Sequence, residues 1–295
     1  MYLSMSTCGT EREKLPDGSY RFDALDGLRQ CAAAGFTHID FNFAQVAVHC
    51  RPLSADDWKT WVASLREAAD DLQLTVSQTH AHWFYPHLVP ADELVWNNEM
   101  VRRSVEATAM LGKNAWMVTH PRSIYDAEGF NLQKTLEYNY AQCMELGELG
   151  KKHGVGIAIE NLFPVPGRID YAYTTEELLA LLQRLNDPVF GICWDFGHAN
   201  NAGLDHEQAL EEIAPYLKVT HVHDNKRRGD DHFPPYFGNI PWEKVMTKLK
   251  EIGYGGSFNF EGHVYYLTLP RVLREEALRF LYSTGAELLR IYDKA

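Results

Sequence analysis

Eight short apolar or β-branched runs punctuate the chain: YLSMST, FTHIDFNF, LTVSQTH, NAWMVTH, VGIAIEN, VFGICWD, LKVTHVH and GSFNFEG. Between them lie longer stretches, among them ADDWKTWVASLREAADDL, TTEELLALLQRL and WEKVMTKLKEIG, with apolar residues at i, i+3, i+4 and i+7. Regular alternation of strand and helix forces parallel strands joined by right-handed crossovers. Eight repeats of that unit in 295 residues predict an α/β fold, a (β/α)8 TIM barrel.

The punctuation agrees. Gly35, Gly112, Gly154 and Gly253 each follow a last helical turn, where a left-handed cap leads into the next strand. No Pro/Gly/Ser-rich linker, low-complexity tract or charge block divides the sequence. The longest irregular segment, about Asp224 to Pro241, falls between strand seven and its helix. The expectation is one domain over residues 1–295 with a long rim loop.

Charge and cysteine usage narrow the function classes. A net charge of -12 disfavours a nucleic-acid partner, because such proteins neutralise phosphates with a basic face. Cys8, Cys31, Cys50, Cys143 and Cys193 include no CxxC pair, and an odd number cannot all pair within the chain. Reduced thiols in a cytoplasm fit this best. The segment MYLSMSTCGTEREK lacks the basic and apolar regions of an export signal, and no window reaches membrane-spanning length, so no membrane partner is expected.

The ionisable residues then fall at telling positions. His80 ends strand three, His120 strand four, Glu160 strand five, Asp195 strand six, His221 strand seven and Glu261 strand eight. In a closed parallel barrel those ends converge on one face, where active sites form. Imidazole with carboxylate oxygens suits Mn2+, Co2+, Mg2+ or Zn2+, the oxygen-rich mixture leaning toward the harder ions. His198 follows Asp195 in WDFGHAN, and Asp230 with His232 forms a D-x-H pair in GDDHF, so together they could hold another ion or contact substrate. For His80, His120 and His198 a hydrogen-bonded histidine beside the site is the competing interpretation, and for Asp230 and His232 a solvated loop. His82 and His223 alternate with their neighbours along an extended strand and are expected to point away. HWFYPH, from His82 to His87, could wall a sugar pocket or simply pack the loop, and Lys226, Arg227 and Arg228 could hold an anionic group or be a solvated cluster.

AIENL around Glu160, CWDFGHAN around Asp195 and His198, THVHDN around His221, DDHF before FGNIPW, and FNFEGH around Glu261 occur in this order. In that combination the chain resembles the xylose-isomerase-like barrels, which include ketose 3-epimerases, inositol-catabolism enzymes and endonuclease IV. The resemblance runs from about Leu74 to His263. It implies one metal held by Glu160, Asp195, His221 and Glu261, with Glu160 and Glu261 also moving protons on opposite faces of a ketose. From endonuclease IV it implies zinc ligation by His80, His120, Glu160, Asp195, His198, His221, Asp230, His232 and Glu261. Departures are visible: HPRS stands at His120 to Ser123 where endonuclease IV has a small glycine-containing turn. NLFPVPGR follows Glu160 where it has a polar, glycine-rich stretch. Pro166 stands where the epimerases place a second substrate-contacting glutamate, whereas Arg227 matches a substrate-contacting arginine.

The first expectation is a metal-dependent isomerase or epimerase of a free sugar, keto-polyol or sugar phosphate. The rivals are a lyase of the same family (an inosose-type dehydratase or a C-glycoside deglycosidase, the latter with a partner subunit), a zinc phosphodiesterase, and a non-catalytic binding barrel. A homo-oligomer is compatible with all of them.

Overall fold

The computed structural model describes residues 1–15, 17, 20–45 and 52–295, and Cys50 lies outside them. Each of the eight runs becomes a strand: β1 (Tyr2–Ser6), β2 (His38–Asn42), β3 (Thr75–His80), β4 (Trp116–Thr119), β5 (Gly156–Glu160), β6 (Phe190–Asp195), β7 (Leu217–Val222) and β8 (Ser257–Phe260). Every strand pairs in parallel with its sequence neighbours, and β1 closes the barrel against β8. The amphipathic stretches form the outer ring: α1 (Ala24–Ala33), α2 (Trp58–Asp71), α3 (Leu94–Leu111), α4 (Leu132–His153), α5 (Thr175–Leu185), α6 (His206–Ile213), α7 (Trp242–Glu251) and α8 (Arg271–Lys294). This is a (β/α)8 TIM barrel.

Local chemistry starts and stops these helices. Thr174 caps α5 by accepting from Glu177 N at 3.2 Å, while the Glu177 carboxylate reaches back to the Ala172 and Tyr173 amides, a variant of the capping box. Gly35, Gly154 and Gly253 have the expected positive φ, but Gly112 does not: it is extended, at φ -134° and ψ 131°. Close approach explains it, since a Cβ there would lie 2.2 Å from the Val76 carbonyl oxygen. Two small antiparallel hairpins, Arg12–Lys14 with Tyr20–Phe22 and Tyr125–Asp126 with Gly129–Phe130, decorate the rim.

Strand alternation sorts side chains between two cores. Ile39, Phe41, Val76, Ile157, Ile159, Ile192, Trp194, Phe258 and Phe260 pack outward against the helices. Inside the barrel Val118, Ala158, Cys193 and Val219 form a small apolar group, and the inward positions opposite are polar. Ser4, Asp40, Gln78, Ser257 and Asn259 have no solvent exposure. Barrel interiors are ordinarily filled by branched apolar residues, so this polar half, directly beneath the strand C-termini, bears on the site above it.

Candidate metal centre

At the C-terminal rim the six strand-end residues converge around a cavity of about 160 Å3 lined by Cys8, Asn42, His80, Trp83, His120, Glu160, His198, Asp230, His232, Glu261 and His263. Glu160 is buried at its centre. Its Oε1 lies 3.1 Å from His221 Nδ1, and its Oε2 lies 3.0 Å from His120 Nε2 and 3.4 Å from His80 Nε2. His221 Nδ1 is also 3.7 Å from Glu261 Oε2 and 3.9 Å from Asp195 Oδ2. Glu160, Asp195, His221 and Glu261 are therefore brought together around one nitrogen.

Asp195 is held from several sides. Its Oδ1 accepts from His198 N at 2.6 Å, capping the short helix Phe196–Asn201, so the helix-capping role open to a rim carboxylate coexists with its place in the cluster. The Asn161 side chain bridges the ends of β5 and β6, donating to Asp195 O at 2.9 Å and accepting from Asp195 N at 2.7 Å.

The histidines are oriented in a way that suits a cation. His80 Nδ1 contacts Ala81 O, His198 Nδ1 contacts Asn161 O, and His232 Nδ1 contacts Glu261 O, each at 2.8 Å. Because a carbonyl only accepts, each Nδ1 carries a proton and Nε2 is left facing the cluster; His232 Nε2 donates to Asp230 Oδ2 as it stands, and loss of the Nε2 proton would expose the lone pair by which such imidazoles bind metal. Those Nε2 atoms face Glu160 for His80 and Asp230 for His198 and His232, at 3.7 and 2.9 Å for the latter pair. Glu160 Oε2 and both ring nitrogens of His221 are buried without a hydrogen bond of good geometry, and the carboxylate oxygen and the unprotonated ring nitrogen offer lone pairs that a cation would take up. The donor set thus fits a divalent ion.

Charge follows from these contacts. Burial pushes the Glu160 carboxyl up, but the surrounding His221 and His120 outweigh it and hold the group well below its usual range. Burial alone would lower His221 and His198, yet Cys193 with Glu261 and Glu160 raises the first, and Asp195 with Asp230 and Glu160 the second, well above the ordinary histidine value, and Asp230 raises His232 to about 9 against the same burial. His120, where burial wins, falls to about 4.

One expected position needs correction. His223 does not point away: two residues after His221, it falls on the same side by period-two alternation, just beyond the end of β7 at Val222. His223 Nε2 instead lies 3.1 Å from both Asp195 oxygens and its ring stacks on His232. Arg227 is not brought to the cavity; it is exposed, has a φ of 60°, and donates from Nε to Asn200 Oδ1 at 3.0 Å. His82 does point away, its Nε2 2.7 Å from Asn97 Oδ1. Of HWFYPH only Trp83 lines the cavity, its ring stacked on His120. Asp40, whose Oδ2 is 3.3 Å from His221 Nε2, was not singled out from sequence; a carboxylate inside the apolar run FTHIDFNF was the available signal.

Among the described residues no helix is long and apolar enough to cross a membrane. A stretch of 165 residues is 32% identical to the uncharacterized protein MJ1311 of Methanocaldococcus jannaschii, covering 55% of this chain and 55% of that relative. The chain thus spans about half the length of that relative. Among solved structures, a D-tagatose 3-epimerase-like protein superposes with a TM-score of 0.76 at 21% identity over 100% of this chain and 99% of that one. A D-psicose 3-epimerase determined in the presence of D-fructose does so at 0.74 and 14% identity, over 98% and 99%. At such identities the likeness establishes the fold. Residues 28–284 match the xylose isomerase-like TIM barrel family, and the chain belongs to that family.

Proposed function

We propose that the protein is a divalent-metal-dependent isomerase or epimerase acting on a free sugar, keto-polyol or sugar phosphate, with Glu160 and Glu261 as its proton-transferring groups. The observation that carries this is the convergence of Glu160, Asp195 and Glu261 on His221 Nδ1, within 3.1 to 3.9 Å, beside the rim cavity. The fold shared with sugar 3-epimerases supports it. Those four residues would hold the ion, with Mn2+, Co2+ or Mg2+ best suited to three carboxylates and one imidazole, and Zn2+ also compatible. A bound divalent cation supplies Lewis acidity, polarising a substrate carbonyl and acidifying the neighbouring C–H.

The chain's own groups do the rest. Glu160, held deprotonated by His221 and His120, is ready to accept a proton from the carbon beside the carbonyl. Glu261, on a different strand end, would take a proton from solvent and deliver it to the opposite face of the enediolate, inverting that carbon, while the proton on Glu160 passes back to solvent; delivery to the neighbouring carbon gives the isomer instead. Trp83 offers an apolar face at the cavity wall for the sugar's C–H surface. Arg227, engaged by Asn200 outside the cavity, takes no part in this reading.

The test is solvent exchange. Mn2+- or Co2+-loaded protein incubated in D2O with a panel of ketoses incorporates deuterium beside the carbonyl of its substrate, seen by NMR, and Glu160→Gln or Glu261→Gln slows the exchange about 10²- to 10⁴-fold. No exchange in any ketose, ketose phosphate or keto-polyol contradicts the proposal, and exchange accompanied by loss of water reassigns the site to a lyase.

One observation favours a second reading. His80 and His120 on Glu160 Oε2, and His198 and His232 around Asp230, form donor groups beyond the four-residue set. A phosphodiesterase with a multi-zinc centre would use all of them, and would contain two or three zinc ions per chain.

A further inference from the structure

The histidines of the rim have their outer nitrogens tied to backbone carbonyls, at Ala81, Asn161 and Glu261. His221 is turned the other way. Its Nδ1 faces the carboxylates of the centre, while Nε2 projects down into the barrel, where closure of the sheet commits the strand carbonyls to the ladder. An acceptor there must come from a side chain. Asp40 on β2, without solvent exposure, offers one: its Oδ2 lies 3.3 Å from His221 Nε2, within ion-pair range but short of good hydrogen-bond geometry. The same oxygen accepts from Gln78 Nε2 at 3.2 Å and Asn259 Nδ2 at 3.1 Å, and Gln78 is held in turn by Ser257.

A buried carboxylate is costly unless paired, and this one sits where an apolar residue would otherwise fill the barrel. Gln78 and Asn259 fix it from β3 and β8, so the imidazole above meets an anchored negative charge.

We infer that Asp40 is a positioning residue for the metal centre: it holds the proton on His221 Nε2 and so presents the Nδ1 lone pair to the ion between Glu160, Asp195 and Glu261. The inference rests on the metal-dependent reading above and adds to it a residue that touches neither substrate nor ion. It accounts for the polar half of the barrel interior as the support of one ligand. Outer partners of this kind shift metal affinity about 10- to 100-fold when removed.

The experiment uses the full-length protein stripped of metal. Mn2+ affinity is measured by isothermal titration for the wild type, Asp40→Asn and Asp40→Ser, with thermal melts of each metal-free variant and visible spectra of the Co2+-loaded forms. The expected result is a 10- to 100-fold weaker Mn2+ affinity in whichever variant melts cooperatively, with Co2+ absorption bands unchanged at saturation because the ligand set is intact. Affinity within twofold of wild type, with only the melting temperature lowered, reduces Asp40 to a structural role and overturns the inference. Altered Co2+ bands at saturation also overturn it, making Asp40 a ligand. If the wild type itself binds no Mn2+, the metal-dependent reading falls and this inference with it; failure of both variants to fold, where apolar filling would have sufficed, leaves Asp40 a fold determinant and likewise contradicts it.

Discussion

At the residue scale, protons and cations compete for one set of lone pairs. His221, His198 and His80 are raised above the ordinary histidine value and His232 to about 9, because neighbouring acidic groups, Cys193 and carboxylates for His221 and carboxylates for the others, outweigh burial. An ion must displace those protons. Apparent Mn2+ affinity should therefore climb as pH rises from 6 toward 9, with proton release measurable by calorimetry in buffers of different ionisation enthalpy; an affinity flat over that range would contradict the assignment of these imidazoles. The sign for the metal-free protein is the reverse. A histidine whose folded pKa is raised contributes stability that is complete below its unfolded value and is lost as pH climbs through the folded one. For His232 that window runs from about 6.5 to about 9, so the metal-free melting temperature should fall across it.

At the scale of elements, strand ends aim the ligands and short-range bonds fix them. Asn161→Ala removes both hydrogen bonds that tie β5 to Asp195 and leaves a buried amide and carbonyl unpaired. The expected loss is about 1–3 kcal/mol in urea unfolding, with weaker metal binding; no loss would show the bridge to be idle. Gly197→Ala would place a Cβ 1.9 Å from His223 Cε1, within the short helix that Asp195 caps. Overpacking of this kind costs about 1–3 kcal/mol, read from the same unfolding curves. Strand periodicity also explains what sequence could and could not reveal. Glu160, Asp195, His221 and Glu261 close regular runs, so their convergence is readable from the pattern. His223, two residues after His221, falls on the same side by that alternation and was readable from it, whereas His82, two after His80, departs from it beyond the end of β3. The rim hairpins, with strands of three residues or fewer, are too short to carry a periodic signal.

At the scale of the whole molecule, the fold was legible because eight strand-helix repeats admit few closed arrangements. The polar floor was not, because Asp40, Gln78, Ser257 and Asn259 come from three strands and meet only after the barrel closes. The shape of the rim was legible only in part. The segment from Asp224 to Pro241 is irregular as expected, yet it turns Arg227 outward and folds His232 over Glu261. A centre built from six strands should tie the barrel together when filled. Mn2+ at a hundredfold excess over its dissociation constant should stabilise the fold by about 2.7 kcal/mol, seen as a concentration-dependent rise in melting temperature.

The most direct measurement is elemental analysis of protein purified without added metal or chelator and then loaded, alongside Glu261→Gln. About one Mn, Co or Mg per chain, weakened in the variant, is the predicted result. Two or three zinc ions would bring phosphodiester hydrolysis forward, and no bound metal under any loading condition would contradict the metal centre itself.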